Sequence, residues 1–147
     1  MGWFAINILL PIFAPLALLF IAGKICTPVE PFASRIRILR TIKDGQLGWV
    51  AVVFSANSAY ELFAHFQSSG PPNWAGPALT LNVVILVISG MSAVLGALFP
   101  VDESRKHPVS LKAWLQHYPN LCTSILEVIV AAFILYKVHV ALELACI

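Results

Sequence analysis

The side chains with the clearest potential for chemistry are ionisable and amide groups that interrupt long apolar runs. Asn57, Glu61 and His65 are spaced by four residues, so they would share one face of a helix. An ionisable group inside an apolar environment is costly, and it typically marks a proton or ion pathway. Glu61 is therefore the first candidate for a functional residue, as a cation or proton site.

Four long apolar segments must position these side chains. They span residues 3–22, 47–66, 77–99 and 121–144, and each has the roughly 20 apolar residues that a helix needs to cross a bilayer. Of the 147 residues, 59% are hydrophobic and 11% are charged, whereas about 25% of a soluble domain is charged. We predict an all-α integral membrane protein, a single four-transmembrane-helix bundle over residues 1–147.

Charges in the connecting loops predict an orientation. Eight of the nine Lys and Arg residues lie in residues 23–46 and 100–120, while residues 67–76 carry no charge. Basic loops are retained in the cytoplasm, so we expect loops one and three there and both termini outside, in a bacterial inner membrane. Residues 33–41 and 110–118 mix apolar with basic or polar residues, which predicts short amphipathic helices on the cytoplasmic surface.

The four segments bring polar side chains to similar depths. With about 1.5 Å of rise per residue, Glu61 lies about 21 Å and Lys137 about 24 Å from the inner edge. Asn7 and Asn82 enter the same outer half from the other side, and His139 follows Lys137 by two residues. An ion pair between Glu61 and Lys137 is the simplest way to lower the cost of both charges.

The polar layer or ion path predicted from these depths comprises Asn7, Asn57, Glu61, His65, Asn82, Lys137, His139 and Glu127. Glu127 is the outlying member, about 9 Å inside the inner edge of segment four. It would extend a polar path toward the cytoplasm or point at the inner headgroups. The layer as a whole has three open interpretations: a structural clamp, a water-filled vestibule or ion path, and a ligand or catalytic site.

Segment three also carries a stripe of small residues, which are Ser89, Ala93, Gly96 and Ala97. Small side chains at four-residue spacing allow helix backbones to approach closely. We therefore expect this face to pack against another helix, either in the same chain or in a second copy.

Other chemistries are not indicated by the sequence. It contains no phosphate-binding glycine loop, no His-Glu-x-x-His, no Gly-x-Ser-x-Gly and no Cys-x-x-Cys motif. We predict no catalytic residue, no metal site and no cofactor. The net charge of +2 is too small to indicate nucleic acid as a partner.

These observations lead to two functional expectations. The first is a non-enzymatic inner-membrane protein that forms a pore, channel or transporter-like assembly for ion transport. Its partners would be the lipid bilayer and either further copies of the chain or a larger membrane protein. The alternative is an immunity or accessory subunit that acts by helix–helix contact with a partner membrane protein. In that case the stripe of small residues would carry the function and Glu61 would be structural.

Overall fold

The computed structural model describes residues 2–14, 17–18, 21, 47–99 and 110–145. Of these residues 91% are helical, and no strand occurs among them. The helices are α1 (Gly2–Ala14), α2 (Gly48–Ser69), α3 (Ala75–Leu98), α4 (Leu111–His117) and α5 (Pro119–Ala145). The predicted all-helical class is confirmed for this part of the chain.

The observed helices agree closely with the apolar segments. The ends of α2, α3 and α5 lie within three residues of the predicted ends. Two helices, Ala75–Leu98 and Pro119–Leu144, are long and apolar enough to cross a membrane. The described part of segment one forms a shorter apolar helix, and the predicted amphipathic helix at residues 33–41 lies outside the described residues.

Local sequence explains the π-helical turn of α1 and the start of α4. In α1, residues Ala5–Leu9 form a π-helical turn just before Pro11, which has no backbone N–H to donate to the preceding turn. Helix α4 begins where the amphipathic pattern predicted a helix. The Ser110 hydroxyl accepts a hydrogen bond from the Ala113 N–H at 3.2 Å, as an N-cap does.

Helices α2, α3 and α5 pack against one another and form the core. Helix α3 runs antiparallel to α2, because Gly48 at the start of α2 lies beside Ser89, while Ser58 further along contacts Asn82. Helix α5 runs parallel to α2. The wholly buried apolar side chains of this core are Ala51, Phe54, Leu62, Ala93, Ala131 and Leu135.

The closest approach of α2 and α3 occurs at Gly48. A Cβ atom at this position would lie 2.7 Å from the backbone oxygen of Ser89 and 3.2 Å from Cβ of Ala93, so only glycine fits. Ser89, Ala93 and Gly96 are buried, whereas Ala97 is exposed. The stripe of small residues therefore faces α2 of the same chain at Ser89 and Ala93, and Ala97 lies outside the packed face.

Candidate functional site

Glu61 lies at the centre of a polar cluster contributed by α1, α2 and α5. The indole N–H of Trp3 donates to Oε1 of Glu61 at 3.0 Å, and Nδ1 of His139 lies 3.3 Å from Oε2. On the other side of the imidazole, Nε2 lies 3.1 Å from Oε1 of Glu143. The rings of Trp3 and His139 stack at 3.7 Å with an interplanar angle of 7°. We call Trp3, Glu61, His139 and Glu143 the Glu61 cluster.

The two nitrogens of His139 each face a carboxylate. A neutral imidazole has a single N–H and donates to only one acceptor, whereas a protonated imidazole donates to both. The indole face stacked on His139 also attracts a cation. The Glu61 cluster is thus a carboxylate–imidazole–carboxylate chain, an arrangement in which a proton can move from one group to the next.

The Glu61 cluster opens into a groove of about 560 Å³. The side chain of Glu143 is 68% exposed, and those of Glu61 and His139 are 21% and 20% exposed, so only the Glu143 end of the chain of titratable groups is open to the surroundings. The remaining residues that line the groove are Tyr60, Ala64, His65, Ser68 and Leu142. The predicted site residues Glu61, His65 and His139 therefore come together at one groove.

Lys137 does not join this cluster. Its Nζ lies 5.5 Å from the centroid of the Phe133 ring on the exposed side of α5. Lys137 and His139 are two positions apart, which is about 200° around a helix, so only one of them can face α2. The expected pairing of Glu61 with Lys137 is not met, and His139 occupies the place expected for Lys137.

The side chains of Asn7 and Asn57 make no hydrogen bond to the ionisable side chains of the Glu61 cluster among the described residues. Asn7 is half-buried, and its side-chain N–H donates to the carbonyl of Trp3 at 3.1 Å, one turn back in α1. Asn57 is half-buried on α2. Asn7 therefore contributes to the site indirectly, by bonding to the turn of α1 that carries the Trp3 indole.

A second polar contact lies one turn from Glu61, deeper between the helices. The side-chain amide of Asn82 donates to Oγ of Ser58 at 3.0 Å and to the carbonyl of Ala78 at 3.0 Å. Asn82 and Ser58 are buried, and Oδ1 of Asn82 has no hydrogen-bond partner among the described residues. This oxygen can therefore accept a further hydrogen bond.

A third polar contact lies at the opposite end of the bundle. The hydroxyl of Ser92 donates to Oε1 of Glu127 at 2.7 Å. Glu127 is only 8% exposed, and its Oε2 has no hydrogen-bond partner within the described ranges. The predicted polar extension at Glu127 therefore points into the helix bundle.

Two further buried serines lie between these three levels. The hydroxyls of Ser55 and Ser89 are wholly buried and have no partner in the described part of the chain. In α2, Ser55, Ser58 and Glu61 follow one another at three-residue spacing, about 4.5 Å of rise per step. From Glu127 to the Glu61 cluster, a buried polar group occurs about once per helical turn. We call this set the polar column: Glu127, Ser92, Ser89, Ser55, Ser58, Asn82 and Glu61.

Sequence reasoning missed several members of this arrangement. Trp3 reads as an anchor at the membrane surface, because tryptophans near segment ends commonly have that role. Ser55 and Ser58 are ordinary small residues of an apolar helix when taken singly. The signal that points to them is their three-residue spacing from Glu61, together with the matched depth of Asn82 on the next segment.

The described residues contain no group of three His, Cys, Asp or Glu side chains that could hold a metal ion. Compared with known proteins, the chain matches no family model, no curated protein and no solved structure.

Proposed function

We propose that the chain is a small non-enzymatic multipass membrane protein, channel-like or transporter-like, that conducts protons along the polar column. The observation that carries this proposal is the polar column itself, buried among helices of which two are apolar enough to cross a membrane. Acidic and imidazole side chains inside a membrane are costly, and they commonly form proton relays.

The spacing of the polar column favours a proton over a larger ion. Ser92 contacts Glu127 directly and Asn82 contacts Ser58 directly, and successive levels of the column are about one helical turn apart along the axis. Serine hydroxyls both donate and accept, so they can serve as steps in such a chain. A proton moves by exchange of hydrogen bonds and needs no continuous opening, which suits the close approach of α2 and α3 at Gly48.

The proposed arrangement has four spans and places the Glu61 cluster near the outer surface. Helix α2 has 22 residues, about 33 Å of helix, which is sufficient to cross the hydrocarbon core. The start of α1 reaches the Glu61 cluster through Trp3, so the N-terminus and this cluster share one end of the molecule. With the basic loops in the cytoplasm, that end faces the periplasm of a bacterial inner membrane.

The polar column lies between helices of one chain. This favours a separate path in each protomer over a pore shared by several copies. Association with further copies, or with a larger membrane partner, would then surround such paths without supplying their lining.

The test is proton flux into liposomes that contain a pH-sensitive dye, driven by a potassium gradient with valinomycin. Glu61→Gln keeps the shape of the side chain but removes its proton-binding charge, so we expect it to abolish flux while the oligomeric state stays unchanged. Lys137→Met is the matched control, since it removes one charge at similar depth outside the polar column, and its flux should stay within about twofold of the unmodified chain. Normal flux through Glu61→Gln would disprove the proposed path.

The second candidate is the immunity or accessory subunit that acts by helix contact. It is favoured by the exposed apolar side of α3, formed by Val83, Val87, Met91, Val94 and Leu98. Because part of the stripe of small residues already faces α2, this outer side would be the contact surface. Absence of flux from the unmodified protein, together with stable copurification of one membrane protein, would favour this role.

A further inference from the structure

The groove at the Glu61 cluster has walls suited to an apolar ligand. Trp3 and Tyr60 contribute aromatic rings, Ala64 and Leu142 contribute alkyl surface, and Tyr60 is 74% exposed. A volume of about 560 Å³ falls within the range of small-molecule sites. The apolar lining of this open groove suits a molecule with a compact aromatic or branched apolar body.

The ionisable groups of the same groove favour a positive charge on that molecule. Two carboxylates, Glu61 and Glu143, line it together with the imidazoles of His65 and His139, and no Lys or Arg of the described ranges is among its lining residues. Lys137 is directed away toward Phe133. With both imidazoles neutral, the two carboxylates give the described lining of the groove a negative charge beside Trp3.

Aromatic faces and carboxylates together are the groups that recognise weakly hydrated organic cations. We infer that this groove binds a monovalent organic cation with an apolar body, held by Glu61 and Glu143 and in contact with Trp3 and Tyr60. The carboxylates provide the charge complement, and the aromatic and alkyl walls replace water around the apolar body.

This inference rests on the proposed function in one respect, since both make Glu61 a binding carboxylate. The two ideas nevertheless fail separately. Ligand binding is measured at equilibrium in detergent without any flux, whereas proton conduction is measured in liposomes without an organic cation. Binding without proton flux leaves the inference standing and removes the proposed path, and flux without binding does the reverse.

The test is equilibrium dialysis of the full chain in neutral maltoside micelles, with radiolabelled tetraphenylphosphonium as the probe. Tetraphenylborate has nearly the same shape and the opposite charge, so it measures partition into the micelle and the apolar walls. We expect one phosphonium ion to bind per chain with saturation. Uptake of the borate should show no saturation. Equal uptake of both ions would overturn the inference.

Three substitutions locate the site. Glu61→Gln is expected to weaken phosphonium binding by about tenfold through loss of the nearby charge, and Trp3→Leu by about fivefold through loss of the aromatic face. Glu143→Gln should also weaken binding, and because this side chain is 68% exposed the substitution leaves the packed core intact. Lys137→Met is the control and should leave the affinity unchanged.

Tryptophan fluorescence gives an independent position for the probe. A chain whose only tryptophan is Trp3 should be quenched by tetraphenylphosphonium, whereas a chain whose only tryptophan is Trp114, on α4, should not. Unchanged affinity in both Glu61→Gln and Glu143→Gln, or equal quenching of the two single-tryptophan chains, would place the cation elsewhere and refute the groove as its site.

Discussion

Both carboxylate oxygens of Glu61 are engaged, one by the indole of Trp3 and the other by the imidazole of His139. A hydrogen bond to a charged group contributes roughly 1.5–3 kcal/mol to stability, and less where water competes. Trp3 therefore has two separable roles: its N–H orients the carboxylate, and its ring covers the imidazole. Substitutions at the scale of single residues can distinguish these roles.

Trp3→Phe removes the N–H donor but keeps an aromatic ring against His139. We expect this change to lower the free energy of unfolding by about 1–2 kcal/mol, measured by circular dichroism during titration with SDS in mixed micelles. Trp49→Phe is the matched control, since Trp49 is 50% exposed and lies on α2 outside the Glu61 cluster. Equal losses in the two variants would contradict the assigned hydrogen bond.

At the other end of the polar column, Ser92 supplies the hydrogen bond to Oε1 of Glu127. Ser92→Ala should therefore lower the free energy of unfolding by about 1–3 kcal/mol, because it leaves a buried acceptor unpaired. Adding Glu127→Met should restore most of that stability, since both polar partners are then replaced by apolar groups. Proton flux should be lost in the double variant, because both polar groups at this end of the column are gone. Additive destabilisation by the two changes would argue against their direct contact.

At the scale of helices, the distance between α2 and α3 is set at Gly48. Gly48→Ala should destabilise the bundle by about 1–3 kcal/mol, because its Cβ would meet a backbone oxygen 2.7 Å away that cannot move independently of α3. Gly90→Ala is the control within α3: its Cβ would meet Val52 at 3.9 Å, an ordinary contact. That variant should be neutral or more stable by up to about 1 kcal/mol, owing to the higher helix propensity of alanine.

The ends of the helices and the depth of their residues could be predicted from the sequence, whereas the rotation of each helix about its axis could not. Apolar segment length predicts helix ends, because each helix must bury or shield its apolar surface over a fixed length. Spacing along a helix gives depth, which placed Glu61, Asn82 and His139 in one half of the molecule. Rotation about the helix axis has no comparable signal when apolar residues surround the helix on all sides. For that reason depth alone favours Lys137 as the partner of Glu61, whereas the packing of α5 on α2 selects His139.

At the scale of the whole molecule, the two ends of the bundle differ in chemistry. The end with the Glu61 cluster contains the start of α1 and the later halves of α2 and α5, with an exposed carboxylate at Glu143. The other end contains the buried Glu127 and the short helix α4. In the proposed four-span arrangement these ends lie on opposite sides of the membrane.

Cysteine labelling tests this arrangement directly. In a chain from which the native cysteines have been removed, Ser69→Cys and Ser110→Cys place single thiols at the last residue of α2 and just before α4. We expect a membrane-impermeant maleimide to label Ser69→Cys in intact spheroplasts and Ser110→Cys only after lysis. Labelling of both from the outside would contradict the four-span orientation.

The contact between Glu61 and His139 joins residues 78 positions apart in the chain. At about 5–20 residues per second, a ribosome delivers His139 roughly 4 to 16 seconds after Glu61. During this interval the Trp3 indole can already donate to Glu61, but the imidazole partner has not yet been made. We therefore expect the packing of α5 on α2 to be the last step in the assembly of the Glu61 cluster.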